Sequence, residues 1–284
     1  MNILILGSTG ILGMTLSLFL QDKKDISISY ISRVRKAKNH KYLNDFTNFK
    51  KLEKIILEIN PTHIINCLGI TKFNESYNDK KNLYTINGKL PKFLAKLCLK
   101  KNFYFLHVST DCVFSGSKGN YMETSIKDSI DSYGKSKSIG EVKNKFTSTI
   151  RTSFIGPELK TKKSLLAWFL KQRKKKIDGY THAFFSGLTS LELSNIIYEF
   201  FVKKKFFYNR IVNIGGHKIS KYSLLNIIST VFKKNVFINK YSNFKIDRTL
   251  NISKFLKTSK YKTKSWIIML KELKKFMDKN KFKF

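Results

Sequence analysis

Residues 2–13 read NILILGSTGILG, and the fold turns on how they are taken. NILIL is the kind of near-continuous apolar run found in a strand buried on both faces. Gly7, Gly10 and Gly13 follow at GxxGxxG spacing, and an apolar stretch with helical character runs on to Leu20. Strand, glycine turn and helix in that order open a βαβ unit. The glycines let the chain turn sharply, let another group approach the backbone, and let the helix pack on its strand. A secretory hydrophobic region is the competing reading. It would need a basic start and a small-residue cleavage site, and neither is present.

The same rhythm continues outward. Further strands are expected at 25–32, 62–70, 103–110, 148–155 and 211–216, with helices at 50–59, 91–100 and after Tyr133. Apolar strands alternating with helices make a Rossmann-type, doubly wound parallel α/β sheet. After Gly156 the rhythm changes to a helix at 163–172, a glycine-bearing loop, a helix at 190–202 and helical segments from Ser220 onward. Trp266, Leu270, Leu273 and Met277 share one face of the last helix. The expected division is a dinucleotide-binding domain over 1–155, with 184–216 returning to it. A smaller C-terminal substrate-binding lobe takes 156–183 and 217–284. No uninterrupted apolar stretch reaches the ~18 residues of a membrane span.

The 284 residues carry a formal charge of +36. Base-specific readout of nucleic acid favours arginine forks, and only six arginines are present. A specific nucleic-acid partner is therefore not expected. A positive field of this size instead attracts diphosphates, and weakly the surface of an anionic membrane. Cys67, Cys98 and Cys112 are too few and too scattered for a disulfide framework or a zinc site. They read as reduced core residues of a cytoplasmic protein.

The glycine turn has a chemical use. A helix N-terminus offers free N–H groups and a positive dipole to phosphates, so Gly7, Gly10, Ile11, Leu12 and Gly13 are expected to hold a dinucleotide. NAD sites commonly close the second strand with an acid that binds the ribose hydroxyls. Here that region has Ser32, Arg33, Arg35 and Lys36. Arginine suits a 2′-phosphate, so NADPH is favoured over NADH, with Arg33 and Arg35 as its ligands. Asp45 stands where this fold often meets the adenine amino group.

Residues 132–137, SYGKSK, place Tyr133 four positions before Lys137. With 13 tyrosines among so many lysines, about two such pairs arise by chance, so spacing alone decides nothing. Context decides. HVSTDCVFSG (107–116) lies upstream at the end of an apolar strand, where a doubly wound fold meets its ligand. A helix beginning near Tyr133 puts Tyr133 and Lys137 on one face. A nearby ammonium is expected to lower the tyrosine pKa toward working pH. Thr110 can then hold a carbonyl oxygen while Tyr133 exchanges its proton.

Together these segments resemble the extended short-chain dehydrogenase/reductases, and within them the dTDP-4-dehydrorhamnose reductases. GSTGILG resembles the family's nucleotide loop, STDCVFSG its Ser-Thr-Asp-x-Val-Phe segment, and YGKSKSIGE its tyrosine–lysine helix. RTSFIG, DRTLNISKF and SWIIMLKEL resemble later family tracts. The resemblance implies Thr110, Tyr133 and Lys137 as the catalytic trio, with Lys137 also on the nicotinamide ribose. It implies Asn87 and Cys67 near the cofactor, and Asp111, Cys112, Trp168 and Arg248 around a nucleotide-diphosphate sugar. Arg248 either binds the diphosphate or pairs with Asp247; Trp168 and His182 either touch the substrate or pack.

The reaction so implied is NADPH-dependent reduction of a 4-keto-6-deoxy sugar, supplying activated deoxysugar for surface polysaccharide. A non-catalytic regulatory subunit, an epimerase and a dehydratase are the alternatives, and a homodimer is left open. Two departures bear on the sugar. Family members often carry tyrosine where Cys112 stands, and NCLGITKFNES differs from the tract usual in the rhamnose enzymes.

Overall fold

The computed structural model describes residues 1–33, 40–72, 77–158, 163–173 and 175–282. Its strands, in chain order, are β1 Asn2–Leu6, β2 Ser27–Ser32, β3 His40–Tyr42, β4 His63–Asn66, β5 Tyr104–Val108 and β6 Thr147–Arg151. Then come β7 Phe154–Ile155, β8 Lys176–Phe185, β9 Leu188–Thr189, β10 Ile211–Asn213, β11 Ile219–Ser220 and β12 Phe237–Asp247. Seven of them form one sheet in the order β10-β6-β5-β4-β1-β2-β3. Every neighbouring pair in it is parallel.

Alternation along β1 explains why both faces are covered. Ile3 and Ile5 point into one core with Leu12, Leu16 and Leu20 of the helix Ile11–Gln21. Leu4 and Leu6 point into a second core with Leu52, Ile56, Leu90 and Leu94. A strand covered on both sides favours apolar residues on both faces, which is how residues 3–6 read. Strand order reverses between β1 and β4, the point at which doubly wound sheets meet their ligands at the carboxyl ends of the strands. The Rossmann-type doubly wound sheet expected from the sequence is the fold observed.

Three local differences matter. The helix expected from residue 91 belongs to a longer helical run. It comprises Lys80–Tyr84, a wide π turn at Thr85–Lys89, and Leu90–Lys101. The single strand expected over 148–155 breaks after Arg151, because the chain leaves the large sheet to pair Phe154–Ile155 with Leu188–Thr189. The third difference is the largest. The glycine-bearing loop before residue 184 is mostly the strand β8, and the region after Ser220 contains the eleven-residue strand β12.

β8 and β12 pair in parallel, with an irregularity between Tyr241 and Lys245, and β11 joins antiparallel on the other side of β8. Most of β12 faces solvent, so FINKYSNFKID carries lysines and asparagines where a buried strand would show apolar residues. The helices Lys221–Phe232 and Trp266–Lys279 complete this side of the molecule. Ile177 and Phe185 of β8, Ile238 of β12 and Trp266 belong to the same core as Ile3 and Ile5.

Candidate active site

The glycine turn has the form its spacing predicts. Gly7 has φ +81°, and a Cβ there would stand 2.7 Å from the Leu68 backbone nitrogen. A Cβ on Gly13 would stand 2.2 Å from the Gly7 carbonyl oxygen, so the helix could not sit this close to the turn. Gly10 caps that helix without any side-chain hydrogen bond, and the buried Ser8 hydroxyl has no partner. An uncapped helix start, a cradle that Cβ atoms would fill and an unpaired hydroxyl fit the diphosphate of a dinucleotide. Leu12 is buried beneath the turn, and Ile11 is partly open.

At the end of β2, Arg33 is exposed; Arg35 lies outside the described residues. Asp45 is also exposed, and its carboxylate accepts from the Thr47 backbone N–H at 2.8 Å and from the Thr47 hydroxyl at 2.7 Å. It ties its own loop. Cys67 follows β4, and burial pushes its thiol up to about 12.

The second part of the site is built by β5 and the helix Ser132–Ile139. Asp131 caps this helix, accepting from the Gly134 N–H at 2.8 Å, and Lys72 holds Asp131 at 2.8 Å. One turn separates Tyr133 from Lys137. Lys137 is buried, and its Nζ donates to the Val108 carbonyl at 2.7 Å and lies 3.4 Å from His107 Nε2. Burial lowers its pKa to about 8, with Glu141 and Cys67 opposing the change. The Thr110 hydroxyl accepts from the Cys112 N–H at 3.1 Å and donates to Asp111 Oδ1 at 3.2 Å.

The lowered tyrosine pKa expected from the sequence is not what these surroundings produce. Burial pushes the Tyr133 phenol up, Cys112 and Asp111 add to the rise, and a hydrogen bond with Thr110 only partly offsets it. Desolvation disfavours the phenolate more than the site stabilises it. The Lys137 amine meanwhile directs its shortest contact at a backbone carbonyl. Tyr133 is therefore a protonated phenol, equipped to donate.

Asn87 sits beside Lys137 but is fully engaged by protein. Its Oδ1 accepts from the Ile70 N–H at 2.9 Å; its Nδ2 donates to the Ile70 carbonyl at 2.9 Å and to the Ser136 hydroxyl at 3.0 Å. It fastens the loop after β4 to the residue preceding Lys137. Glu141 and Arg151 were not singled out from the sequence. Arg151 grips both Glu141 oxygens at 2.8 Å, and Glu141 Oε1 also accepts from the Ser109 hydroxyl at 3.0 Å. Both side chains are almost wholly buried. They pin the end of β5, where the Val108 carbonyl and Thr110 stand.

A cleft of about 970 Å³ lies on the small-sheet side, lined in part by Trp168, Gln172, Tyr180, Lys221, Phe244 and Arg248. Arg248 connects it to the tyrosine–lysine centre: its Nη1 is 3.5 Å from Cys112 Sγ, while its buried Nε has no partner. Pairing of Arg248 with Asp247 does not occur. Asp247 takes Lys218 at 2.6 Å and the Thr249 hydroxyl at 2.7 Å instead.

Lys221 was missed in the sequence, where KYSLL gives no signal beyond a helix start. Its ammonium lies 3.8 Å over the Phe185 ring. Burial lowers its pKa, opposed by Asp111 and Cys112. Burial likewise raises the pKa of Asp111, opposed by Arg248 and Lys221, and raises the Cys112 thiol to about 12. His182 does not line the cleft; its Nδ1 meets the Thr181 hydroxyl at 3.1 Å.

A protonated phenol, a hydroxyl and a buried lysine thus stand between the glycine turn and a cationic cleft. The family described as RmlD substrate binding domain matches residues 1–176. The chain belongs to this family. A dTDP-4-dehydrorhamnose reductase of Aggregatibacter actinomycetemcomitans is 34% identical over 141 residues, which is 49% of this chain and 45% of that protein. The chain spans under half the length of the curated relatives it matches. A solved structure from Sulfolobus tokodaii, described as a hypothetical dTDP-4-dehydrorhamnose reductase, is 25% identical. Its TM-score is 0.77, covering 90% of this chain and 94% of that one. A dTDP-4-dehydrorhamnose reductase from Bacillus anthracis in complex with NADP shares the fold, at 20% identity and a TM-score of 0.80 over 98% and 99% of the two chains.

Proposed function

We propose that the chain reduces the 4-keto group of a nucleotide-linked 6-deoxy sugar with NADPH. The observation that supports this reading is the meeting of Thr110, Tyr133 and Lys137 at the end of β5, with Lys137 Nζ on the Val108 carbonyl and the Tyr133 phenol against the Thr110 hydroxyl. A reduced nicotinamide supplies hydride when bound. Tyr133 enters protonated and gives its proton to the carbonyl oxygen as negative charge develops there. The Thr110 hydroxyl holds that oxygen, and Lys137 orients the nicotinamide ribose. Gly7, Gly10, Ile11, Leu12, Gly13, Cys67 and Asn87 frame the cofactor, and Arg33 meets its 2′-phosphate.

Arg248 and Lys221 bind the diphosphate, offering an unpaired Nε–H and a half-buried ammonium. Trp168 lines the same cleft against the rest of the substrate, with Asp111 and Cys112 at its inner end. Residues 156–183 and 217–284 form the substrate-binding lobe. The reading places the enzyme in the cytoplasm, where reduced cysteines and sugar nucleotides coexist. Dehydration, which would use an acid following Asp111, finds the protonated thiol of Cys112 there instead.

Following NADPH absorbance against a panel of nucleotide-linked 4-keto-6-deoxy sugars tests the proposal. Turnover with at least one member is expected. Tight NADPH binding without turnover of any of them would favour the non-catalytic subunit.

A further inference from the structure

Beneath Lys137 lies a chain of buried polar side chains that the reduction itself does not require. Asn66, at the end of β4, and His107, on β5, are both fully buried. Asn66 Oδ1 accepts from the Leu68 N–H at 3.1 Å, which fixes the orientation of the amide. Its Nδ2, a donor only, therefore faces His107 Nδ1 at 3.2 Å. His107 Nδ1 must then be the acceptor, and a neutral imidazole with an accepting Nδ1 carries its proton on Nε2. That Nε2–H points at Lys137 Nζ, 3.4 Å away. Two donors would face each other if Lys137 were an ammonium. A neutral amine, still donating to the Val108 carbonyl, can present its lone pair to the imidazole instead.

We propose that Asn66 locks His107 in the tautomer that turns an N–H toward Lys137, and that this lock loosens the proton on Lys137 and so sets the pH range of the reducing centre. Asn66 and His107 are positioning residues in this scheme, acting through Lys137. The titratable and charged groups packed around that amine are Glu141 just after its own helix, Cys67 following β4 and His107 on β5; Tyr133 stands one turn away. Glu141 favours the ammonium, and Cys67 remains a protonated thiol. Burial keeps His107 from taking up a second proton. The locked imidazole dipole is thus the nearby group that works with burial against the charge.

The kinetic meaning rests on the reductase reading above, but the test does not. The chain labelled with ¹⁵N at histidine and lysine, its histidines assigned by single substitutions of all five, should show His107 neutral from pH 6 to 9, with Nε2 protonated and Nδ1 bare. A proton on Nδ1, or an imidazolium, would overturn the proposal. The ¹⁵Nζ signal of Lys137, identified by its loss in Lys137→Met, reports the consequence. Asn66→Asp keeps the Leu68 bond but draws the imidazole proton to Nδ1, so Nε2 accepts from the ammonium. The Lys137 titration should move up by about one pH unit, tenfold in proton affinity. Asn66→Leu frees the tautomer without adding charge and should move it the same way, by less. A titration unmoved in Asn66→Leu but raised in Asn66→Asp would mean charge alone is at work, and the lock would be refuted. Unmoved titration in both refutes it as well. Should Asn66→Leu fail to fold, the wild-type tautomer still decides.

Discussion

Tyr133 and Lys137 both depart from their ordinary titration, in directions that burial dictates, and each departure has a measurable consequence. Because Tyr133 is held protonated, Tyr133→Phe removes the proton donor while keeping the ring. NADPH binding should persist and kcat fall by at least about a hundredfold; stopped-flow cofactor titration and steady-state turnover check the two halves. Lys137 has its folded pKa depressed to about 8 from 10.5. The folded protein therefore holds fewer protons than the unfolded chain between those values, and stability rises with pH across that window. Lys137→Met abolishes this dependence. Its stability relative to wild type should be greatest below about pH 8 and shrink toward pH 10.5, by up to about 3 kcal/mol. Urea unfolding of both proteins at pH 7.5 and 10 measures it, and a pH-independent difference would contradict the depressed pKa of the buried amine.

At the scale of elements, the end of β5 is held by a buried ion pair, and buried pairs are costly to break by halves. Glu141→Gln should destabilise the fold by about 3–5 kcal/mol, because it strands the Arg151 guanidinium. The double substitution Glu141→Leu/Arg151→Met should cost far less than the single change, a comparison open to denaturant melts. Most of the large sheet was legible in the sequence, because strands buried on both faces favour apolar runs such as NILIL; its edge strand β3 was not, since the three residues HKY carry no such run. The small sheet was not. β12 exposes most of its length and so carries no apolar pattern, while Gly179 made β8 resemble a loop. The site divides in the same way. Tyr133, Lys137 and Thr110 stand in motifs with a shared helix face or strand end. Lys221 comes to Asp111 and Arg248 only through tertiary packing, and the tyrosine pKa was misjudged because spacing reveals a nearby charge but not desolvation.

The molecule as a whole carries a charge of +36, and this field competes with Arg33 as the source of any preference for NADPH. A direct arginine–phosphate contact gives about 1.5–3 kcal/mol, roughly tenfold to a hundredfold in affinity. Arg33→Ala should weaken NADPH binding by that factor and leave NADH nearly untouched, in calorimetric titrations at low and high salt. Screening separates the two sources: a diffuse preference fades as ionic strength rises, whereas a contact survives better. The shared core of the two sheets has a different kind of consequence. Ile177, Phe185 and Ile238 belong to one core with Ile3 and Ile5, so the wall of the cleft is anchored in the same apolar interior as the large sheet. Bodies joined by a hydrophobic interior do not swing as domains joined by a polar seam do. The cleft is a gauge of fixed bore and not a jaw: what it admits is decided by the width of its mouth and the side chains on its rim.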